Sequence, residues 1–370
     1  MAPGAGPPGR TVVVKIGTSS ITDARGRIVG PALAKLSSEV AELRAAGVLV
    51  VIVTSGAIAA GLRVLGLDPR PTDPSVLQAV SAVGQSRLMA HYEKALAAAG
   101  LVGGQVLLAP LDFANRAQYL HARQTMWLLL GLGVVPVVNE NDAVADDEVR
   151  FGDNDRLAAL VAHLVQADLL VLLTDAAGLF TADPHRDEGA SLVEEVAEVD
   201  QVLALAGGAG SERGSGGMAS KLAAAKIAAW SGVRVVIASA ERPGVLPDAV
   251  AGLPGVGTFV KARLARLPAR KLWIAFAMAA AGMIVVDEGA KIALMQKGVS
   301  LLPAGVREVK GDFLPDDAVE VAGPDGVVFA KGIARHGAKA LTDWMGWQTA
   351  QLPPDVPPEV IHRDDLVILP

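Results

Sequence analysis

Short runs of apolar residues alternate along much of the chain with longer segments in which apolar residues recur at helical spacing. The short runs are rich in Val, Leu and Ile and predict buried β-strands, whereas the longer segments predict helices. The predicted strands cover residues 11–16, 48–53, 105–109, 134–138, 169–173 and 233–238, and the predicted helices cover 31–46, 75–99, 116–130, 154–167 and 218–231. Repeated strand–helix units indicate an α/β fold with a mainly parallel sheet and helices on both faces.

The pattern changes after the last of these helices and strands. A short basic stretch with a proline predicts a linker over residues 263–281. Beyond it, short alternating runs separated by Gly and Pro turn residues predict a small β-rich domain over 282–367. Residues 1–10 are rich in Pro and Gly and lack the apolar stretch of a signal peptide, so we expect a disordered tail there. The α/β domain is then expected over residues 11–262.

Composition narrows the classes of function. Hydrophobic residues make up 51 % of the chain but aromatic residues only 4 %, which is typical of helices packed on parallel strands. The formal charge of -6 argues against nucleic acid as the ligand. The absence of cysteine excludes disulfides and thiolate chemistry and suits a cytoplasmic location. The longest uncharged run, residues 45–62, is interrupted by Thr, Ser and Gly, so we expect no membrane span.

Polar residues and glycines follow directly after several of the predicted strands. In an open parallel sheet, ligands bind beyond the carboxyl ends of the strands, so these residues are candidates for a binding site. They form the segments 15–19 (KIGTS), 54–57 (TSGA), 139–142 (NEND), 152–155 (GDND) and 174–175 (TD). The amides and carboxylates of 139–142 and 152–155 suit an α-amino group or Mg²⁺ held together with phosphate oxygens. An ordinary helix N-cap is the alternative for Asp153 or Asn154.

Lys15 and a glycine-rich segment are candidates for binding phosphate. Lys15 ends an apolar run, where a buried ammonium group needs an anion; a solvent-exposed edge strand is the alternative. Residues 215–221 (SGGMASK) lead into a predicted helix, whose free N–H groups favour anions. The segment lacks the Gly-Lys pair of a Walker A loop, and the lone GxGxxG match lies in the Pro-rich tail.

Six motifs, in this order along the chain, resemble the glutamate 5-kinase family. They are VVKIGTS at 13–19, VTSGAIAAG at 53–61, NENDAV at 139–144, GDND at 152–155, LLTD with GLFTADP between 172 and 184, and GGMASK at 216–221. The segments VDEGA at 286–290 and GVSLLP at 298–303 look like the PUA domain appended to many members. The resemblance implies the amino-acid kinase fold, a three-layer αβα sandwich around a mainly parallel sheet. It also implies that ATP and L-glutamate are converted with Mg²⁺ into ADP and L-glutamyl 5-phosphate, the first step of proline biosynthesis.

The resemblance further implies roles for individual positions. Expected at the glutamate site are Ser55, Asp142, Asn154 and Asn139. Expected at the nucleotide are Lys15, Gly17, Thr174, Asp175, Ser215, Gly216, Gly217, Met218, Ala219, Ser220 and Lys221. Of these, Lys15 and Lys221 are expected to bind the ATP phosphates, while Asp153 or Asp155, with Asp155 favoured, would orient the two lysines. Mg²⁺ would be held mainly by the phosphates of ATP.

Members of the family are often oligomeric and inhibited by proline, so a homodimer or homotetramer and feedback by proline are expected. Two other functions stay open. One is another acyl-phosphate kinase of this fold acting on aspartate or N-acetylglutamate, because phosphate-binding groups discriminate less than the acceptor pocket. The other is RNA binding or modification by the C-terminal domain, although residues 282–370 hold 8 Lys+Arg against 13 Asp+Glu and so carry -5, the wrong sign for a phosphate backbone.

A kinase that acts on a carboxylate has simple chemical needs. The carboxylate is already ionised at neutral pH, so no general base is needed, and none of the six histidines is assigned a role. What the reaction needs is positive charge beside the transferred phosphoryl group. Two lysines and Mg²⁺ would supply it.

Overall fold

The computed structural model describes residues 9–23, 25–109, 112–113, 115–144, 154–184, 187, 189–202, 217–264, 266–276 and 278–369. Most of the predicted disordered tail, residues 1–8, therefore lies outside the described residues. The chain divides into two compact units, Met1–Arg266 and Leu267–Pro370. Within the described part, no helix has both the length and the apolar character that crossing a bilayer requires.

An eight-stranded sheet forms the centre of the first unit. Its strands are β1 (Thr11–Ile16), β2 (Leu49–Val53), β3 (Gly103–Leu108), β4 (Val135–Glu140), β5 (Leu169–Thr174), β6 (Glu195–Val196), β7 (Arg234–Ser239) and β8 (Gly257–Val260). They lie side by side in the order β3-β4-β2-β1-β5-β7-β8-β6. All neighbouring pairs are parallel except β7 and β8, so the predicted mainly parallel sheet is confirmed.

Helices connect these strands and flank the sheet, giving the three-layer αβα arrangement. In the described residues of this unit they are α1 (Thr18–Ile21), α2 (Gly30–Ala45), α3 (Ala57–Leu65), α4 (Pro74–Ala98), α5 (Arg116–Gly131), α6 (Asn154–Leu164), α7 (Met218–Trp230) and α8 (Val245–Ala251). The six strands and five helices predicted from the pattern are all present, with ends that differ by a few residues. Strands β6 and β8 and helices α1, α3 and α8 are further elements of the structure.

The central strands are buried along their whole length. Every residue of β1, β2 and β5 is buried, because helices cover both faces of the sheet. This explains why these strands are nearly continuous runs of Val, Leu and Ile and do not alternate with polar residues. Lys15 is the one charged residue of β1, and it is only 5 % exposed, which rules out the alternative of a solvent-exposed edge strand.

Helices α3 and α4 approach each other through two glycines. A Cβ atom on Gly61 would lie 1.9 Å from the carbonyl oxygen of Val80, and one on Gly84 would lie 1.8 Å from that of Ala57. Neither position has room for a side chain. Because α3 begins four residues after β2 ends, this contact holds α4 against the loop that contains Ser55.

The second unit has a five-stranded sheet of its own. Its strands are β9 (Gly282–Val286), β10 (Val306–Gly311), β11 (Ala318–Ala322), β12 (Val328–Ile333) and β13 (Leu366–Ile368), in the order β10-β9-β11-β12-β13. Its helices in the described residues are α9 (Ala269–Phe276), α10 (Glu288–Lys297) and α11 (Ala338–Trp344). The β-rich character predicted for this part of the chain is confirmed. Helix α9 falls within the segment predicted as a linker; it contacts β12 and β13 and buries Leu272 and Ile274.

The contact between α3 and α4 yields a test of the fold. We expect Gly84→Ala to lower the free energy of unfolding by about 3 kcal/mol, because the added methyl group forces the helix backbones apart. Gly30→Ala is the control: nothing lies within 4 Å of a Cβ at Gly30, so its effect should stay within about 1 kcal/mol. Denaturant unfolding measures both variants, and equal stabilities would contradict the close approach.

Candidate active site

Two lysines that are far apart in the sequence meet at one buried aspartate. Lys15 stands near the carboxyl end of β1, Asp155 lies in the first turn of α6, and Lys221 lies in the first turn of α7. The Lys15 Nζ atom is 2.6 Å from Oδ1 of Asp155, and the Lys221 Nζ atom is 3.2 Å from Oδ2. The three residues are between 1 % and 5 % exposed. We call this group the ion triad.

The ion triad contains two cations and one anion. Burial favours the neutral acid of Asp155, but the ammonium groups of Lys15 and Lys221 outweigh burial and hold the pKa of this carboxyl below its ordinary value. One carboxylate therefore faces two ammonium groups in a buried place. Two ammonium groups held side by side are suited to an anionic ligand such as a phosphate.

The local structure of α7 adds to this preference for an anion. Gly217 is the N-cap of the helix and has no side chain with which to cap it. The first-turn N–H groups and the positive end of the helix dipole favour negative charge. Lys221 lies in that same turn, where a cation is opposed by the dipole. A lysine in this position indicates a binding role more than a stabilising one.

The structure brings most of the predicted nucleotide residues to the same edge of the sheet. Gly17 follows β1, and a Cβ atom on it would lie 3.6 Å from Nζ of Lys15. Thr174 ends β5, the neighbour of β1, and its hydroxyl donates to Asp175 over 2.9 Å. Gly217, Met218, Ala219 and Ser220 begin α7, and the Ser220 hydroxyl donates to Oδ2 of Asp155 over 3.3 Å. The predicted residues Asp153, Ser215 and Gly216 lie outside the described residues.

The residues predicted to bind the acceptor also come together. The Asn154 Nδ2 atom donates to the hydroxyl of Ser55 over 3.1 Å and to Oδ1 of Asn139 over 2.8 Å. It also lies 2.5 Å from the backbone oxygen of Thr54. These contacts join the loop after β2 and the end of β4 to the start of α6. We call the pocket around Ser55, Asn139, Asp142 and Asn154 the amide pocket.

Asp142 is the carboxylate of the amide pocket. Burial raises its pKa above the ordinary value, and the Ser81 hydroxyl, which donates to Oδ2, offsets part of this rise. Among the described residues, no Lys, Arg or His forms an ion pair with Asp142. A buried anion of this kind is suited to a cationic ligand group such as an ammonium.

Helix α4 contributes three polar side chains that the sequence pattern did not identify. Besides Ser81, Gln85 accepts a hydrogen bond from Nδ2 of Asn139 over 2.7 Å. The Tyr92 hydroxyl donates to Oγ1 of Thr54 over 2.7 Å, and burial raises the pKa of this phenol, so it stays protonated. Positions 81, 85 and 92 lie on one face of a helix. Polar residues at this spacing on an apolar, buried face were the signal available in the sequence.

The ion triad and the amide pocket meet at the start of α6. Asn154 belongs to the amide pocket and the next residue, Asp155, belongs to the ion triad. A cationic site and an anionic site thus lie side by side at the carboxyl ends of β1, β2 and β4, where a parallel sheet binds its ligands. Within the described ranges, no three His, Asp or Glu side chains are placed to hold a metal ion. Each oxygen of Asp155 contacts one lysine ammonium group.

Comparison with known proteins gives matches along nearly the whole chain. The model of the amino acid kinase family matches residues 10–239, and that of the PUA domain matches residues 282–352. A glutamate 5-kinase from Mycobacterium avium is 44 % identical over 359 residues, which is 97 % of this chain and 96 % of that protein. A glutamate 5-kinase from Burkholderia multivorans is 44 % identical over 366 residues, 97 % of this chain and 98 % of that protein.

Solved structures share the fold of the first unit. The carbamate kinase from Giardia lamblia, bound to AMP-PNP, superposes with a TM-score of 0.50 at 20 % identity. The match covers 69 % of this chain and 99 % of that structure. At this level of identity the comparison shows the architecture and leaves the substrate open.

The hydrogen bond between Ser81 and Asp142 predicts a pH-dependent effect on stability. Because the pKa of Asp142 is raised, its contribution to stability is present below the ordinary value of 3.8 and is lost as the pH rises through the raised value. The Ser81 hydroxyl stabilises the ionised form. We therefore expect Ser81→Ala to lower the free energy of unfolding by about 2 kcal/mol at neutral pH and by less once Asp142 is protonated.

Urea unfolding of the wild type and of Ser81→Ala, from neutral pH down to a pH below 3.8, measures the effect. Ser86→Ala, a substitution at an exposed serine of the same helix, is the control and should show no such pH dependence. A loss of stability in Ser81→Ala that is the same at every pH would show that the hydroxyl does not act on the ionised carboxylate.

Proposed function

Because the chain belongs to the amino acid kinase family, we propose that it transfers the γ-phosphoryl group of ATP to the side-chain carboxylate of L-glutamate. The products are L-glutamyl 5-phosphate and ADP, and the reaction opens proline biosynthesis. The observation that carries the proposal is the buried ion triad beside an amide pocket whose carboxylate, Asp142, forms no ion pair with any described residue. One site suits the phosphates of ATP, and the other suits the ammonium group of an amino acid.

The reaction requires no group to remove a proton. A carboxylate oxygen of glutamate, already ionised at neutral pH, attacks the γ-phosphorus and forms the new P–O bond. The bond from that phosphorus to the bridging oxygen breaks, and ADP leaves with the electron pair. Both reactants are anions, so their approach is unfavourable unless cations surround the transferred group.

Lys15 and Lys221 supply these cations in the proposed mechanism. Asp155 holds one ammonium group on each of its two oxygens and so sets the distance between them. The two ammonium groups are directed to the γ-phosphoryl oxygens and to the oxygen that leaves with ADP, and the first turn of α7 adds its N–H groups.

The amide pocket orients glutamate. Asp142 pairs with the α-ammonium group, which relieves the unfavourable burial of the carboxylate. Ser55, Asn139 and Asn154 supply the uncharged donors and acceptors of the pocket. The side-chain carboxylate of glutamate is then directed toward the ion triad, since Asn154 and Asp155 are neighbours in the first turn of α6.

The nucleotide is proposed to lie along the edge formed by β1, β5 and α7. Gly17, Thr174, Asp175 and the first residues of α7 are its proposed contacts, together with Ser215 and Gly216 of the preceding segment. ATP enters as its magnesium complex. The ion is assigned to the phosphate oxygens, because the described residues offer it no cluster of free carboxylates.

The negative charge of Asp142 also distinguishes glutamate from the other candidate acceptors. N-acetylglutamate has no ammonium group, so binding it would leave Asp142 buried without a cation. Aspartate has the ammonium group, but its side chain is one methylene shorter and would hold its carboxylate further from the ion triad. Of the acids considered, glutamate therefore fits best.

Further features of the family stay proposals for this chain. We infer a cytoplasmic homodimer or homotetramer that is inhibited by proline, whose ammonium group could also pair with Asp142. For the second unit, which matches the PUA domain over residues 282–352, we propose a structural or regulatory role and no binding of nucleic acid. Its formal charge of -5 supports this proposal, since 8 Lys+Arg face 13 Asp+Glu over residues 282–370.

An assay with several acceptors tests the substrate. The protein is incubated with Mg-ATP and glutamate, aspartate, N-acetylglutamate or UMP; the formation of ADP is measured for each acceptor, and any acyl phosphate is trapped with hydroxylamine. We expect kcat/KM for glutamate to exceed that for aspartate by about 10- to 200-fold, the usual value of one methylene, and we expect no product from UMP. A higher kcat/KM with any other acceptor would contradict the proposal.

Single substitutions test the two lysines. We expect Lys15→Ala and Lys221→Ala each to lower kcat by about 10²- to 10³-fold, the usual effect of deleting one donor to a transition state. The fold should tolerate either change, because Asp155 keeps one lysine as its partner. Steady-state kinetics with glutamate and ATP measures kcat, and thermal unfolding verifies the fold.

Lys226→Ala is the matched control for these variants. Lys226 lies on the same helix as Lys221 but pairs with Asp200 over 2.5 Å, so its loss should leave kcat near the wild-type value. Near-normal kcat in both Lys15→Ala and Lys221→Ala would refute the role of the ion triad.

A further inference from the structure

Three side-chain amides form a chain of hydrogen bonds beneath the amide pocket. Asn154 donates from Nδ2 to Oδ1 of Asn139 over 2.8 Å, and Asn139 donates from Nδ2 to Oε1 of Gln85 over 2.7 Å. All three residues are at least nine-tenths buried, with exposures of 4 %, 2 % and 9 %. The first two are proposed pocket residues, whereas Gln85 comes from α4 and has no role so far.

One backbone atom fixes the direction of this chain. A side-chain amide has a donating and an accepting end, and either orientation is possible unless the surroundings decide. The Nδ2 atom of Asn154 lies 2.5 Å from the backbone oxygen of Thr54, which can only accept. Asn154 must therefore turn its NH₂ group toward Thr54 and Asn139. Asn139 must then accept with Oδ1 and donate onward, so that Gln85 receives this bond on its oxygen.

The fixed direction determines which polar atom lies at each end of the chain of amides. Oδ1 of Asn154 and Nε2 of Gln85 are buried and have no hydrogen-bond partner among the described residues. The end formed by Asn154 is thus an acceptor without a donor, in the pocket that also holds the carboxylate of Asp142. An acceptor and an anion together match the several N–H groups of one ammonium ion.

We propose that Gln85 is a positioning residue for the acceptor substrate, and this inference rests on the proposed function. Thr54 and Asn154 select the orientation of the Asn139 amide, and Gln85 holds the amide there by accepting from Nδ2 of Asn139. Without this acceptor, Nδ2 of Asn139 would be buried with no partner among the described residues, and the Asn139 side chain would be less firmly held against Asn154. Gln85 does not need to touch the substrate to have this effect.

The proposal requires that loss of the Gln85 side-chain oxygen weaken the binding of the acceptor substrate and leave the binding of ATP nearly unchanged. Gln85→Met keeps the length of the side chain but removes the accepting oxygen. We expect KM for glutamate to rise about 10- to 100-fold, the range for leaving a buried polar group unpaired. KM for ATP should change less than about 3-fold, since the bound nucleotide makes no use of the amide chain.

Two further variants separate positioning from packing. Gln85→Glu retains an oxygen that can accept from Asn139, so it should keep KM for glutamate closer to the wild-type value than Gln85→Met does. Met89→Ala removes buried side-chain atoms one turn along the same helix, outside the amide chain. It should lower Tm at least as much as Gln85→Met and leave KM for glutamate within about 3-fold of wild type.

A spectroscopic measurement makes the inference independent of the assay. In side-chain ¹⁵N–¹H spectra of the ligand-free protein, Gln85→Met should shift or broaden the NH₂ signals of Asn139 and Asn154, whereas Gln85→Glu should retain the Asn154 signal. Unchanged NH₂ signals in Gln85→Met would overturn the proposal, as would equal increases of KM for glutamate in the Met and Glu variants.

The same experiments separate this inference from the proposed function. If the wild type prefers another acceptor, the proposed function fails, and the ratio of KM values between variant and wild type is then measured with that acceptor. A selective rise for that acceptor, with perturbed NH₂ signals, would still support Gln85 as a positioning residue. A rise shared equally by the acceptor and ATP would overturn it.

Discussion

Two buried ammonium groups share a single carboxylate in this protein, and much of the first unit serves to hold them together. A lysine near the end of a central strand is unfavourable unless an anion reaches it, and here the anion comes from the first turn of α6. The second lysine comes from the first turn of α7, more than two hundred residues after the first. The parallel sheet makes this meeting possible, because it brings the ends of β1 and its neighbours to one edge.

The first turn of α6 divides the site into two regions. Asn154 and Asp155 are consecutive, and consecutive side chains on a helix point about 100° apart. One side chain therefore enters the amide pocket and the other enters the ion triad. Two reactants bound on either side of this turn have their separation set by the backbone of one helix, which is a more rigid reference than a loop. Positioning of this kind is the main contribution that a kinase makes to the reaction of an ionised carboxylate.

The sequence predicts the elements that a local pattern of residues determines. It does not predict site residues whose role depends on contacts with residues far away in the sequence. Continuous Val, Leu and Ile runs identify the central strands, because only strands covered on both faces tolerate them. Residues after these runs, among them Ser55, Asn139 and Asp142, follow from the rule for the ends of parallel strands. Ser81 and Gln85 could not be found this way, since their helix approaches from outside the sheet and their function appears only through the side chains that they contact. The pairing of Lys221 with Asp155 was likewise implied by resemblance and not by any local pattern.

The two regions of the site present opposite charges. The three residues of the ion triad are two cations and one anion, whereas the amide pocket holds a carboxylate whose pKa is raised by burial. Each arrangement makes the free protein less stable than a sequence with neutral residues at these positions would be. The same charges favour ligands of opposite charge, an anionic phosphate on one side and an ammonium group on the other. A role in binding therefore accounts for polar residues in a part of the core where apolar packing would give the more stable fold.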